Sequence, residues 1–335
     1  SPERLLGLMM GCGSFVTAAA PAIGPTFGGI MTQYFTWRYI FICVLPVIVL
    51  ASFIGYFCMS EQIINKHEKF DLLSFIAVAL AFVSLIMGFS NLNQIVDDLV
   101  FVLGCFIIGI ISLYYFTKRQ LHIKNSLIRI EIFNHKGFTF HTLAIMFLQM
   151  TTLGYGLLLP TFVQIVLKQP ATDAGVVLLP GAIVGAVFAP IGGLILDRLG
   201  AKKPIVLGLC CSFIATFCFL FFFKNLTYQS CILFYFIYSL GIGLIVGNTM
   251  TSAMSHLPKN LQADGNATLQ TLMQLSGGIG TSITATILAF VQQGTNLYDG
   301  TNRGALFVLI FLMFNINIVI LSQYFAFKGG KKNEF

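Results

Sequence analysis

Charge is what this sequence has least of. Asp, Glu, Lys and Arg make up 9% of its 335 residues, against roughly 25% in an average soluble domain. A soluble fold of this size could not cover its surface with so few charges. Hydrophobic residues reach 57%, and the mean hydropathy is +0.87. These values exclude disorder, a collagen-like fibre and a disulfide-stapled secreted domain. Long polar stretches are missing too: no interruption between apolar runs exceeds about 20 residues, so no soluble domain is inserted. CxxC pairs are absent, and none of the eight cysteines (Cys12, Cys43, Cys58, Cys105, Cys210, Cys211, Cys218, Cys231) lies near a histidine. Metal and redox roles are therefore set aside, and these cysteines are read as small buried hydrophobes. HExxH, GxSxG and a buried acid pair are also lacking, which argues against an intramembrane protease or lipid transferase. No filter-like loop or ring of charges suggests a channel. The chain opens Ser-Pro-Glu-Arg, without an initiator Met or the basic start of a signal peptide, and is read as a piece of a longer one.

What the sequence does have is apolar runs of membrane-spanning length. A bilayer core about 30 Å thick needs about 20 apolar residues per helix. Ten such runs are found, at about 5–31, 39–58, 72–92, 99–117, 138–162, 174–196, 204–223, 230–252, 266–290 and 304–327. They do not alternate polar and apolar residues as barrel strands would. The expected fold is an all-α integral membrane protein of ten transmembrane helices.

The distribution of Lys and Arg tests that count. With the N-terminus inside, the inner segments hold Arg4, Lys66, Lys69, Lys118, Arg119, Lys124, Arg129, Lys136, Arg198, Lys202, Lys203, Lys259, Lys328, Lys331 and Lys332. The outer ones hold only Arg38, Lys168, Lys224 and Arg303. A wrong span count would scramble this bias, so it supports both the number of helices and a cytoplasmic location for both ends. The whole net charge of +7 then belongs to the inner face. The basic stretch 118–137 is a topology anchor attracted to anionic lipid, and no nucleic-acid partner is expected.

Small residues recur at four-residue spacing inside the runs: Gly7 and Gly11, Gly24 and Gly28, Gly181 and Gly185, Gly243 and Gly247. In lipid such spacing lets helix backbones approach closely. The first run adds two prolines and a Gly-Pro-x-x-Gly-Gly stretch. Its Gly11, Ala20, Gly24, Pro25, Gly28 and Gly29 resemble the antiporter signature (motif C) of the major facilitator superfamily, G-x8-G-x3-G-P-x2-G-G, with Ala20 in place of one Gly. Thr36-Trp37-Arg38-Tyr39-Ile40-Phe41 is similar to the start of the next helix in that family. Gly193-x3-Asp197-Arg198-x-Gly200-x-Lys202-Lys203 resembles the superfamily's motif A loop. Here Gly200 permits a tight turn, and Asp197 can pair with basic groups or sit at a helix N-terminus.

The whole chain is similar to the fourteen-helix drug:proton antiporters, through Phe70-Asp71-Leu72, Ser126-Leu127-Ile128 before Phe133, Ala174-Gly175-Val176-Val177-Leu178-Leu179-Pro180-Gly181 and Gly265-Asn266-Ala267. It begins at that family's fifth helix, which implies four helices upstream and, in the first of them, a membrane-embedded acid. The implied architecture is a major-facilitator-type helical bundle. Residues 1–58 would be the last two helices of the N-terminal six-helix bundle, 59–137 two linker helices with a basic loop, and 138–335 a complete C-terminal bundle. The implied activity is proton-coupled export of small hydrophobic or cationic drugs across a bacterial plasma membrane. No cofactor beyond the proton gradient is implied, and the protein would be a monomer in the lipid bilayer. An exporter of a metabolite, peptide or lipid, or an inactive fragment, is the alternative; the ten helices alone are expected not to transport.

No ionisable residue falls at mid-membrane depth. Asp71, Asp173, Asp197 and Asp264 lie at span ends, and His67, His122, His135, His141 and His256 in loops or near interfaces. Asp173 comes closest, and its place suits a helix N-cap better. Neutral polar residues do fall within spans, among them Thr251 and Asn317. Gln149, Met150, Tyr155, Asn248, Gln270, Gln274 and Asn315 are the candidates for a substrate cavity, where mobile Met and aromatic walls suit bulky apolar cargo.

Overall fold

The computed structural model describes residues 24–58, 71–94, 98–123 and 128–330. Among these there is no strand, and nine helices are long and apolar enough to cross a membrane. Eleven α-helices are described: α1 (24–34), α2 (Arg38–Cys58), α3 (Leu72–Ser90), α4 (Leu99–His122), α5 (Lys136–Ile165), α6 (Ala171–Val176), α7 (Leu179–Leu199), α8 (Lys202–Phe221), α9 (Tyr228–Ser255), α10 (Gln262–Gln292) and α11 (Leu297–Gly330). The expected runs from 39–58 onwards coincide with these helices, except that 174–196 is broken at Val177 and Leu178 into α6 and α7, and most of the first run, 5–31, lies outside the described residues. Pro180 in the first turn of α7 cannot donate to a preceding turn, which suits it to a helix start.

Local chemistry sets the ends. Asp71 caps α3 by accepting from the Ser74 N–H, and Asp98 caps α4 by accepting from the Phe101 N–H. Thr227 and Ser230 cap α9 reciprocally. Gly200 closes α7 at φ +78°, the left-handed geometry expected of it. Asp173 is not an N-cap: Pro170 holds that position, and Asp173 sits in the first turn of α6.

Helices α5 and α7–α11 pack as one bundle. α5 is its centre, touching α9, α10 and α11, while α9 holds α7 and α8. Small residues make the closest crossings. A Cβ on Gly208 of α8 would lie 2.6 Å from the Gly241 carbonyl oxygen of α9. One on Gly280 of α10 would lie 2.6 Å from the Met150 backbone of α5. Gly185 and Gly243 bring α7 and α9 together in the same way. With no hydrophobic drive between helices in lipid, such backbone approaches supply the packing. A buried aromatic group of Tyr155, Phe219, Tyr235 and Tyr238 fills the middle.

The antiparallel pair α3 and α4 docks on this bundle through α10. The Ser90 and Ser282 hydroxyls are 2.8 Å apart, the Thr286 hydroxyl donates to the Phe89 carbonyl (2.8 Å), and Ile86 covers Gly278. At its other end Arg119 of α4 grips Asp71 in a forked ion pair, Nε to Oδ2 at 3.0 Å and Nη2 to Oδ1 at 3.0 Å. Arg129, after that pair, reaches Asp264 in the first turn of α10 at 3.2 Å. No residue of α2 is buried.

Exposed Phe, Leu, Ile and Val cover the helix surfaces, as on α8 (Val206, Leu207, Ile214, Phe217, Phe221) and α11 (Phe307, Ile310, Phe314, Leu321). This is an outer shell suited to hydrocarbon. The cysteines depart from the expected burial: Cys231 is buried, whereas Cys43, Cys58 and Cys210 are exposed, and Cys12 lies outside the described residues.

Candidate functional site

Motif C begins outside the described residues, which exclude Gly11 and Ala20. Its later part ends in a contact that the sequence did not single out. Gly24 and Gly28 face open space, since a Cβ on either would meet nothing within 4 Å. Gly29 is different: a Cβ there would sit 2.6 Å from the Ala171 carbonyl oxygen of α6. Reciprocally, a Cβ on Gly175 would sit 2.5 Å from the Pro25 carbonyl oxygen of α1. Hydrogen bonds fasten the crossing. The Thr26 hydroxyl donates to the Gly175 carbonyl at 3.2 Å, and the Thr172 N–H donates to Gln33 Oε1 at 2.9 Å. Two segments 149 residues apart thus meet backbone to backbone, at the end of the helices opposite the basic loops.

The motif A loop lies at the other end. Asp197, Arg198, Gly200, Lys202 and Lys203 are all exposed, and Gly193 is half-buried with open space beside it. Among the described residues Asp197 has no ion-pair partner, the two pairs being Asp71–Arg119 and Arg129–Asp264. Hydrogen bonds from Arg119 and then from Ser74 hold the Asp71 carboxyl well below the usual carboxylate range, against a smaller opposing effect of burial.

The neutral polar candidates fall into three environments. Gln270 and Gln274, one helical turn apart, are exposed on one face of α10, with Ala267 beside them. Thr251 and Gly247 are exposed on α9. Gln149 and Met150 are half-buried in the α5–α10 seam, Gln149 against Gly277 and Met150 against Gly280. Tyr155, Asn248 and Asn315 lie inside the bundle. The Tyr155 hydroxyl donates to Thr216 Oγ1 at 3.0 Å, and Asn248 Nδ2 donates to the Leu244 carbonyl at 2.7 Å beside Gly192. Asn315 is fully buried with both amide atoms unpartnered, while Asn317 is exposed. So the structure brings Gln270 to Gln274 and Gln149 to Met150, and it keeps the three buried residues apart from that exposed face.

One buried ionisable residue was missed. His141, expected near an interface, is 0% exposed within α5. Its place was legible in the pattern of α5, because Phe138, Ile145 and Leu148, at helical spacing from it, are buried on the same face. His256, which stands beside it, comes from the far end of α9.

A sequence model of the family described as Major Facilitator Superfamily matches residues 1–281. The chain belongs to the Major Facilitator Superfamily. Its members are membrane transporters and not enzymes, which agrees with the missing nucleophile and metal motifs. A lincomycin resistance protein, LmrB, of Listeria monocytogenes is 30% identical over 303 residues, covering 90% of this chain and 64% of the relative. The LmrB of Bacillus subtilis is 32% identical over 294 residues, covering 86% of this chain and 60% of the relative. A tetracenomycin C resistance and export protein of Streptomyces glaucescens is 24% identical over 294 residues, covering 86% and 54%. The chain thus spans less than two thirds of the length of these curated relatives. Among superfamily transporters it stands close to bacterial ones named for drug resistance.

Proposed function

We propose that the complete gene product exports hydrophobic or cationic drugs in exchange for protons, with the basic end of the helices in the cytoplasm. The observation that carries this reading is the pairing of a closed end with an open polar face. At the end opposite the basic loops, Gly29 and Gly175 bring α1 and α6 into backbone contact. In the half of α10 that begins at the basic end, Gln270 and Gln274 remain exposed. Two amides facing hydrocarbon would be costly, so this face suits a water-filled cavity that lies between two helical bundles. Closure at one end with a wetted surface that opens towards the other is what alternating access requires. Residues 138–335 would form one bundle, with the cavity wall drawn from Gln149, Met150, Gln270 and Gln274. Drug-type cargo is supported by the names of the relatives, which confer resistance to lincomycin and tetracenomycin C.

The test is efflux from bacteria that express the complete gene product after loading with ethidium or lincomycin. Extrusion that collapses when an uncoupler dissipates the proton gradient is the expected result. Retention of both compounds at the level of empty-vector cells would overturn the drug reading and favour a metabolite, peptide or lipid as cargo.

A further inference from the structure

The side of α10 that carries Gln270 and Gln274 is bordered by a second helix. Gln270, Gln274, Gly278, Ser282 and Thr286 follow at four-residue spacing and form one ridge of α10. Such a ridge is inclined to the helix axis by about 26°, so a helix laid along it would cover all five residues. α3 covers only the outer three. Ile86 stands 3.0 Å from where a Cβ on Gly278 would be. The Ser90 and Ser282 hydroxyls are 2.8 Å apart, and the Phe89 carbonyl accepts from the Thr286 hydroxyl at 2.8 Å. One turn nearer the basic end the ridge emerges, and Gln274 and then Gln270 are exposed.

The matching side of α3 emerges with it. Leu72, Ile76, Ala79, Val83, Ile86 and Ser90 recur at helical spacing on one side of that helix. Ile86 and Ser90 meet α10, whereas Val83 (55%), Ala79, Ile76 (54%) and Leu72 (59%) are exposed. Two helices joined at one end, with their facing sides exposed towards the other, enclose a wedge. Its basic end is framed by charge. Arg119 of α4 holds Asp71 at the foot of α3, and Arg129, beyond α4, reaches Asp264 in the first turn of α10 at 3.2 Å. The α3–α4 hairpin and α10 are thus joined at both ends of the wedge.

The two walls differ in chemistry. α3 offers alkyl side chains, and α10 offers carboxamides, each with two donor hydrogens and an acceptor oxygen. The α10 wall is not a lipid face: no large hydrophobic residue is exposed between Leu233 and Phe290, although such residues cover α8 and α11. Neither wall carries charge, since no Asp, Glu, Lys or Arg occurs from Leu72 to Ser90 or from Asn266 to Gln292. A molecule that satisfies both walls has an apolar body and a head that exchanges hydrogen bonds.

We propose that the wedge between α3 and α10 binds amphiphiles whose heads carry hydroxyl or amide groups, admitting them from the leaflet at the basic end. The apolar body lies along Leu72, Ile76 and Val83, and Gln274 and Gln270 hydrogen-bond the head. This rests on the exporter reading above and deepens it, because the wedge is then the side entrance through which cargo reaches the amide face. With no carboxylate on either wall, recognition here works by hydrogen bonding and gives a cation no advantage.

The test is equilibrium binding of tritiated lincomycin, a hydroxyl-rich amide, to the complete gene product in nanodiscs. Val83→Trp fills the wedge from α3, and Gln274→Leu removes an amide at similar size; each should raise Kd at least fivefold. Ile110→Trp, on the exposed side of α4, should leave Kd within twofold. Octyl glucoside should displace lincomycin at a concentration at least tenfold lower than octyltrimethylammonium, which has the same chain and no hydrogen-bonding head. Should Val83→Trp fail to fold, Ile76→Trp on the same side of α3 decides. No saturable binding to the wild type, unchanged affinity in the folded Trp variants of α3, or equal displacement by the two amphiphiles would overturn the proposal. Binding with the expected pattern by a wild type that accumulates no drug in proteoliposomes would sink the exporter reading while upholding the wedge. Gradient-driven accumulation with wild-type affinity in Val83→Trp and Ile76→Trp would do the reverse.

Discussion

Single glycines in this chain do unequal work, although the sequence presents them as one pattern. Gly28 and Gly29 are neighbours in motif C, yet only Gly29 meets another backbone, at 2.6 Å for an added Cβ. Its counterpart Gly175 is equally crowded, with the Pro25 carbonyl 2.5 Å from where its Cβ would be. Backbone cannot rotate away as a side chain can, so an added group must separate α1 from α6; overpacking of this kind costs about 1–3 kcal/mol. Gly175→Val is expected to lower drug efflux at least tenfold at equal membrane abundance, and Gly28→Ala to leave it within twofold. Efflux rates of the two variants normalised to immunoblot check this, and equal rates would show that the crossing is not part of the cycle. Motif spacing named Gly29 because one helix carries the motif. Gly175 gave no comparable signal, since its role depends on a helix 149 residues away. His141 does lie near the start of α5, as expected, but its burial was not part of that reading, because position within a run indicates depth and not the neighbours on α9 and α11.

At the scale of elements, the apolar runs were the clearest feature, and among the described residues the helices match them closely. Each must bury its backbone polar groups for itself in lipid, so length and hydropathy nearly determine it. The break between α6 and α7 was not visible in the same way, because Val177 and Leu178 are as apolar as their neighbours and only Pro180 hints at a restart. The pairing of α3 with α4 rests at one end on Asp71 and Arg119. The sign of its pH dependence follows from the depressed acidity of Asp71. A carboxylate held below its unfolded value contributes stability above that value, roughly 3.9, and loses the contribution as pH falls through the folded one. The pair should therefore be constant from neutral pH down to about pH 4 and weaken only below it. Asp71→Asn removes the charge at every pH and also weakens the cap of α3. We expect faster protease cleavage in the segment between α4 and α5 of Asp71→Asn at pH 7, with the wild type equally protected at pH 7 and pH 5. Equal protection of the variant would show that the ion pair does not hold the two helices.

On the scale of the whole molecule, scarcity of charge and its location are one fact. Among the described residues the charged ones lie at or near helix ends, and the basic ones are concentrated on one side, leaving a body of apolar helices around a few neutral amides and the buried His141. Such a body suits cargo that partitions into membranes and is moved by a change of packing. The account predicts that the gradient and the cargo are linked by this body. The most direct measurement is ethidium fluorescence in proteoliposomes that contain the complete gene product, with the lumen made acidic relative to the bath. Exchange of protons leaving the lumen for ethidium entering it predicts accumulation that begins with the gradient and is abolished by an ionophore that collapses it. Ethidium movement that is the same with and without the gradient, or absent altogether, would contradict the account.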